Sequence, residues 1–233
     1  MPGRLAIYDD ISFKQDIFNT FGTFKDEIQV LHKKYNIAPT ISIPIFTNTL
    51  HYTYAHFGLI PSWAKDKKSM NINARSETIY EKASFKEAYK QRRCLLLING
   101  HYEWEKDELS GKSIPHIITS KNKNYFALAG IYEQWYDNTT NKILLSTAII
   151  TTEPNEKIAK IHDRMPVILE QKDWKKWLDD DTSFYELNKL FKSYPSELID
   201  IEEVGDLVNS VKNDGVECLL KSHRVQMVQE SLF

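Results

Sequence analysis

The sequence lacks several features that would assign it to a familiar class of protein. No apolar run is long enough to span a membrane, and from the opening Met-Pro-Gly-Arg we expect no signal peptide. The formal net charge is −2, so the chain as a whole carries no excess of positive charge that would attract nucleic acid. Any binding of nucleic acid therefore requires a local basic patch.

Cysteine is scarce as well. The two cysteines, Cys94 in an apolar run and Cys218 near the end, are predicted to be free buried thiols, as in a reducing cytosol. Histidines and carboxylates lack the spacing of a zinc site, so we predict neither a metal nor a cofactor. The sequence also has no Gly-x-Ser-x-Gly motif, which argues against a Ser/His/Asp hydrolase.

The 233 residues contain no repeat, low-complexity tract or linker. We therefore predict a single α+β domain over residues 1–233, with a large and mostly antiparallel sheet system. The predicted strands cover residues 1–8, 41–46, 52–59, 95–98, 115–120, 125–135, 143–151, 204–211 and 216–220, with a hairpin loop at 137–141. Helical segments are predicted at residues 12–34 with a break near Gly22, at 84–90, shortly after 151–155, at 173–178 and at 182–191.

The most informative stretch runs from residue 93 to residue 105. Four consecutive aliphatic residues, Leu95 to Ile98, predict a strand buried on both faces, and Asn99-Gly100 then breaks it. If the extended chain resumes, Tyr102 and Trp104 share one face and Glu103 points to the other. A carboxylate leaving a buried strand has a fixed position and limited solvation, which suits acid–base chemistry. The alternative is an ordinary strand end with a solvated glutamate.

Two further polar clusters are not explained by packing. Asn73 and Arg75 form one, and His162, Asp163 and Arg164 form the other. The first could be a turn with a surface arginine, and His162 could be a structural residue that only makes hydrogen bonds.

Several segments, in order along nearly the whole chain, carry a resemblance to a known family. They are Gly3-Arg4, residues 35–39, 58–63, 73–78, 93–95, 102–105, 128–132 and 162–169, Val208-Asn209 and Lys212-Asn213. The set resembles the SOS response-associated peptidase (SRAP) family, whose members sense abasic sites in single-stranded DNA. The resemblance implies a barrel-like sheet flanked by short helices. It also implies a cytoplasmic bacterial monomer that associates with the nucleoid when bound to DNA and does not associate with membranes.

The resemblance also implies roles for individual residues. Asn73 would hydrogen-bond the N-terminal residue and the opened sugar, Glu103 would position and deprotonate the α-amine, and His162 would protonate the sugar ring oxygen. The residues implied to contact DNA are Arg4 and Arg75 at phosphates, Asn36, and Trp63 stacked on a base, with Lys65, Lys67 and Lys68 extending the basic track.

One departure from the family pattern affects the chemistry. The family has cysteine at the second position, where thiol and α-amine close a thiazolidine ring on the aldehyde, but this chain has Pro2. Three readings stay open: a free proline amine that forms an iminium after Met1 is trimmed, an inactive variant that still binds abasic DNA, or a structural proline behind a retained Met1. Lesser departures are His101 and Phe57, where the family more often has other aromatic residues.

Three functions therefore stand as hypotheses. The chain could be a DNA–protein cross-linker or lyase at abasic sites, or a non-covalent module for damaged single strands, which the missing thiol favours. The peptidase of the family name would act only on the chain's own Met1.

Overall fold

A computed structural model of the protein describes residues 2–107 and 111–222 and has a mixed α+β fold. The predicted fold class, with a mostly antiparallel, barrel-like sheet system and short helices, is confirmed. Within the described residues, no helix is both long and apolar enough to cross a bilayer.

The strands, in chain order, are β1 Leu5–Ile7, β2 Lys25–Asp26, β3 Lys34–Ile37, β4 Ser42–Thr47, β5 His51–Phe57, β6 Asn73–Arg75, β7 Arg93–Ile98, β8 Gly100–Lys106, β9 Ser113–Ser120, β10 Phe126–Asp137, β11 Lys142–Thr152, β12 Met165–Pro166 and β13 Ile199–Glu203. The α-helices are α1 Ile11–Phe21, α2 Lys86–Gln91, α3 Trp174–Leu178 and α4 Phe184–Asn188. Short 3₁₀ helices cover Lys67–Ser69, Ile158–Lys160, Gln171–Asp173, Ser196–Leu198, Asp206–Asn209 and Val216–Leu219.

Five strands close into a barrel in the order β11-β10-β7-β4-β5. The circle closes because β5 pairs in parallel with β11, through Ser146 opposite His56 and Thr147 opposite Phe57. The predicted strand within residues 93–98 is the central β7, and all six of its residues are buried. The predicted hairpin joins β10 to β11, with Asp137 opposite Lys142.

A second sheet of five strands has the order β13-β9-β8-β1-β3. The chain passes from the barrel to this sheet at Asn99, where β7 ends and β8 begins. The buried Asn99 amide accepts hydrogen bonds from the Tyr8 and Asp9 N–H groups and donates to the Asp9 and Asn124 carbonyls. Both the oxygen and the nitrogen of the Asn99 amide are therefore hydrogen-bonded, so the break between β7 and β8 leaves no polar atom of this side chain without a partner.

Three predicted segments differ from the structure. The predicted helix at 12–34 ends at Phe21, where Gly22 adopts a φ of 76° and its N–H bonds the Phe18 carbonyl. The residues that follow form β2 and β3, because the apolar spacing of Phe24 and Ile28 fits an extended chain packed on the core as well as it fits a helix.

The strands predicted at 204–211 and 216–220 are also wrong. These residues form the last two 3₁₀ helices, and among residues 2–107 and 111–222 their only strand-like pairing is an isolated bridge between Val204 and Lys221. Carbonyl groups of the segment bond the Asn36 side chain instead of a neighbouring strand. A side chain distant in sequence thus decides the local conformation.

Arg93, 1% exposed, ties the barrel to the helices that cover it. Its guanidinium donates to the carbonyls of Trp177, Tyr89, Lys90 and Asp179 at 2.6–2.8 Å, and it lies over the Trp177 ring. The N–H groups of the planar guanidinium point in several directions, so this one side chain can donate to buried carbonyls on different sides of it.

We expect Arg93→Lys to lower the free energy of unfolding by about 2–4 kcal/mol, because one ammonium cannot reach all these buried carbonyls. Urea denaturation measures the loss. The matched control is Arg92→Lys, which can keep the single ion pair to Glu133. Equal losses in the two variants would contradict this role for Arg93.

Candidate functional site

The second residue of the chain lies in a pocket formed by two sheets. Pro2 is buried, and the Asn73 amide donates to its carbonyl at 3.3 Å. Asn73 reaches this position because β6 continues the parallel pairing along the edge of β11, with Asn73 opposite Ile149. On the other side, Leu5 pairs with His101 and the Tyr102 N–H donates to the Arg4 carbonyl, so the same register brings Gly3 beside Glu103.

Glu103 lies on β8 as predicted, on the opposite face from Tyr102 and Trp104, whose ring centroids are 6.5 Å apart. The carboxylate is not solvated, because the residue is only 4% exposed. Burial raises the pKa of Glu103, and the nearby His162 opposes the shift. A carboxylate in such surroundings is a stronger base than a solvated one.

His162 follows the 3₁₀ helix Ile158–Lys160. Its Nδ1 lies 2.9 Å from the Asp163 carboxylate and accepts a hydrogen bond of 3.0 Å from the Arg164 N–H. The neutral ring therefore accepts at Nδ1 and carries its proton on Nε2, whereas the protonated ring can bond Asp163 through Nδ1. Acceptance at Nδ1 thus leaves Nε2 as the nitrogen from which the ring donates a hydrogen.

An ion pair that sequence reasoning missed joins the two polar clusters. Arg164 donates to both carboxylate oxygens of Glu77, at 2.7 and 2.9 Å, and to the Thr151 carbonyl at 2.6 Å. Burial is the largest influence on Glu77 and opposes its ionisation, but the hydrogen bonds and positive charge of Arg164, together with local hydrogen bonds from the backbone and Ser76, outweigh it and lower the pKa of Glu77. The pair holds the His162 loop against the segment that carries Asn73. The sequence hints at this ion pair only in that Glu77 and Arg164 lie in two of the segments that resemble the family, residues 73–78 and 162–169.

Arg4 and Asn36 contact each other. Arg4 Nη1 donates to Asn36 Oδ1 at 2.7 Å and to the Val208 carbonyl at 2.9 Å, and the guanidinium lies over the Trp104 ring. The Asn36 amide nitrogen donates to three carbonyls between Val208 and Asn213, and the residue is 3% exposed. Asn36 therefore fixes the position of Arg4, and any influence of Asn36 on DNA passes through that arginine.

Beside Asn73, an open cavity of about 400 Å³ is lined by Asn71, Asn73, Arg75, Thr78, Lys82, Ser84 and Phe85. The side chain of Arg75 is exposed. Trp63 stands at the rim, because its indole N–H contacts the Ala83 carbonyl at 3.4 Å while the residue stays 59% exposed. Beyond Trp63, Lys67 lies over the Trp135 ring.

Neither cysteine is suited to act as a nucleophile. Cys94 is fully buried, and burial raises the pKa of its thiol to about 12. Cys218 is buried as well, and its pKa is also raised by burial. The described residues include no group of three or more histidine, cysteine or carboxylate side chains placed to hold a metal ion.

A buried carboxylate, an amide and a histidine thus surround the second residue, next to a cavity with a basic and an aromatic rim. A family model described as SOS response associated peptidase (SRAP) matches residues 1–211. The chain belongs to this family.

Relatives in this family match over most of the chain. The abasic site processing protein YoqW of Bacillus subtilis (strain 168) is 38% identical over 234 residues, covering 96% of this chain and 100% of the relative. YoaM of the same organism, also named an abasic site processing protein, is 40% identical over 94% of this chain and 97% of its own. The abasic site processing protein HMCES of Pongo abelii is 30% identical over 79% of this chain and 64% of its own length.

Solved structures share the fold. A crystal structure of a protein from Bacteroides thetaiotaomicron superimposes with a TM-score of 0.82 at 26% identity, covering 94% of this chain and 99% of that one. A protein from Bordetella bronchiseptica, at 19% identity, has a TM-score of 0.70 over 88% of this chain and 100% of its own, which shows the fold alone.

The raised pKa of Glu103 predicts a specific dependence of stability on pH. The folded protein holds this proton more tightly than the unfolded chain, so stability is lost as pH rises from the unfolded value, about 4.3, through the folded pKa. Glu103→Gln should therefore be more stable than the wild type at pH 7, and the difference should disappear at and below pH 4.

Urea denaturation at both pH values measures this difference. Glu105→Gln, on the same strand but with a side chain that is 42% exposed, serves as the control and should shift little. If Glu103→Gln were less stable than the wild type at pH 7, the claim that burial of the ionised Glu103 carboxylate lowers the stability of the fold would be refuted.

Proposed function

We propose that this protein recognises abasic sites in single-stranded DNA and reacts reversibly with their aldehyde through the nitrogen of Pro2. Family membership and the names of the relatives support the substrate. The single observation that carries the proposal is the contact of the Asn73 amide with the Pro2 carbonyl, in a pocket that also contains Glu103.

The cavity beside Asn73 provides the path for DNA. Arg75 and Lys82 carry positive charge for phosphates, and the exposed Trp63 ring at the rim offers a surface for stacking a base. Stacking needs an unpaired base, so the site favours a single strand over a duplex. Lys67 and Lys68 continue the positive charge beyond Trp63.

The chemistry begins once Met1 is removed and Pro2 has a free secondary amine. His162 donates a proton to the sugar ring oxygen as the ring opens to the aldehyde, and Glu103 accepts the proton of the amine. The nitrogen then adds to C1′, and loss of water leaves a positively charged iminium. No thiol is present at position 2 to close a ring on that carbon, so water reverses the adduct or β-elimination cleaves the strand.

A second candidate is a non-covalent module that binds abasic single strands, and the replacement of the family's cysteine by Pro2 favours it. The peptidase activity in the family name would be limited to removal of the chain's own Met1. A general protease is disfavoured, since Cys94 and Cys218 are both buried with raised pKa values.

Intact-protein mass after incubation with an abasic oligonucleotide, with and without borohydride, tests the proposal. We expect an adduct mainly in the borohydride sample, because reduction converts the iminium into a stable amine. Binding without any trappable adduct would instead establish the non-covalent module, and loss of binding to abasic strands would refute both candidates.

Arg75→Ala should weaken binding to all single-stranded sequences alike and reduce the slope of log affinity against log salt by about 0.7, the value for one phosphate contact on a single strand. Fluorescence anisotropy across a salt series measures both effects. Lys25→Ala is the matched control, because Lys25 is exposed and pairs at the His51 end of β5, about 30 Å along the sheet from Arg75. An unchanged salt slope for Arg75→Ala would remove this residue from the interface.

Pro2→Cys should give a cross-link that survives without reductant, since a thiol can close onto the carbon that the iminium leaves electrophilic. In that background, Glu103→Ala should slow cross-linking about 10²–10⁴-fold through loss of a positioned base. Denaturing gels with an abasic oligonucleotide follow both reactions. A Pro2→Cys protein that lacks Met1 and still forms no stable adduct would sink the assignment of this pocket.

A further inference from the structure

A second imidazole, that of His101, lies in the interior on the same strand as Glu103. His101 is 1% exposed, and both ring nitrogens are buried with no hydrogen-bond partner among the described residues. Apolar residues flank it on three sides: Leu5 and Ile118 pair with it on the two neighbouring strands, and the Phe126 ring centroid is 6.4 Å away. Buried polar atoms without a protein partner usually bond water or a ligand.

The partner of His101 can be identified from strand geometry. His101 and Glu103 are two residues apart on β8, so their side chains leave the same face about 7 Å apart. One water with hydrogen bonds of about 2.8 Å to each side chain spans most of that distance. A neutral imidazole, with one donor and one acceptor, suits such a water.

We propose that His101 is a positioning residue that holds the water which hydrolyses the Pro2 iminium, while Glu103 takes the proton of that water. This inference rests on the proposed covalent chemistry. An apolar aromatic residue at position 101 could not orient the water.

The hydrolysis balances without any further reagent. The water oxygen bonds C1′, the C=N electron pair moves to the Pro2 nitrogen, and one water proton passes to Glu103. Glu103 then returns that proton to the nitrogen as the C–N bond breaks, and it accepts the hydroxyl proton as the aldehyde forms. Until that last transfer, the acceptor nitrogen of His101 holds the other hydrogen of the water, which is the hydroxyl hydrogen that finally passes to Glu103.

The buried ring keeps its acceptor free over the working pH range. Burial lowers the pKa of His101 to about 3, and the nearby His162 contributes to the shift. At neutral pH the ring is therefore uncharged, and one of its nitrogens has a free lone pair. His101 thus acts as a hydrogen-bonding group, and Glu103 is the base.

His101→Phe tests the inference by removing the acceptor and keeping an aromatic ring against Phe126. Dehydration in the forward direction and hydration in reverse share one transition state, so adduct formation and adduct release should both slow by the same factor. We expect about 10-fold or more, as for a group that assists proton transfer. The equilibrium fraction of adduct should stay the same.

Both rates come from one labelled abasic oligonucleotide. Borohydride quenching at successive times gives formation, and a chase with excess unlabelled abasic oligonucleotide before the quench gives release. His101→Gln keeps a donor and an acceptor and should recover rates within about threefold of wild type. Phe126→Leu changes the packing around the His101 ring and against Tyr194 but removes no hydrogen-bonding group, so it should leave the rates near wild type.

The outcomes separate clearly. Wild-type rates in His101→Phe overturn the inference, and so does a His101→Gln protein as slow as His101→Phe, because packing would then explain the effect. His101→Leu replaces His101→Phe if the latter does not fold. Absence of any trappable adduct in the wild type would instead overturn the covalent chemistry from which this inference starts.

Discussion

The closure of the barrel along one edge of β11 is the constraint on which the site depends. That edge receives β5 first and then β6, both in parallel, so the chain after β5 must return to the same strand. The return carries Asn73 to Pro2 and directs Arg75 to the open cavity. The Arg164–Glu77 pair then fixes the His162 loop beside this segment.

The site also requires ionisable side chains in the interior of the protein, where the fold favours apolar side chains. Glu103 and His101 extend from a central strand into the interior, and burial shifts their pKa values in opposite directions, towards the neutral form of each. Desolvation therefore keeps a carboxylate basic and an imidazole uncharged within one strand. Such groups lower stability and are retained where chemistry needs them.

Sequence patterns predicted the features of the site that depend only on residues close together in the sequence. Four aliphatic residues followed by Asn99-Gly100 indicated β7 and its break, and alternation along β8 correctly separated Glu103 from Tyr102 and Trp104. Contacts between distant segments were not predictable in this way. The Arg164–Glu77 pair spans 87 positions, and Asn36 shapes a segment more than 170 positions away. That the His101 ring lacks a hydrogen-bond partner within the described part of the chain became evident only from its burial in the fold.

The burial of Pro2 has a consequence for the order of events during synthesis. Pro2 is synthesised before every other residue that the structure describes, but the strands that enclose it come much later, and β11, which supports β6, ends at Thr152. At roughly 5–20 residues per second, about 8–30 s pass between the two. A processing enzyme thus has its best access to the start of the chain during this interval, before the barrel closes. Pro2 is therefore synthesised early and enclosed late.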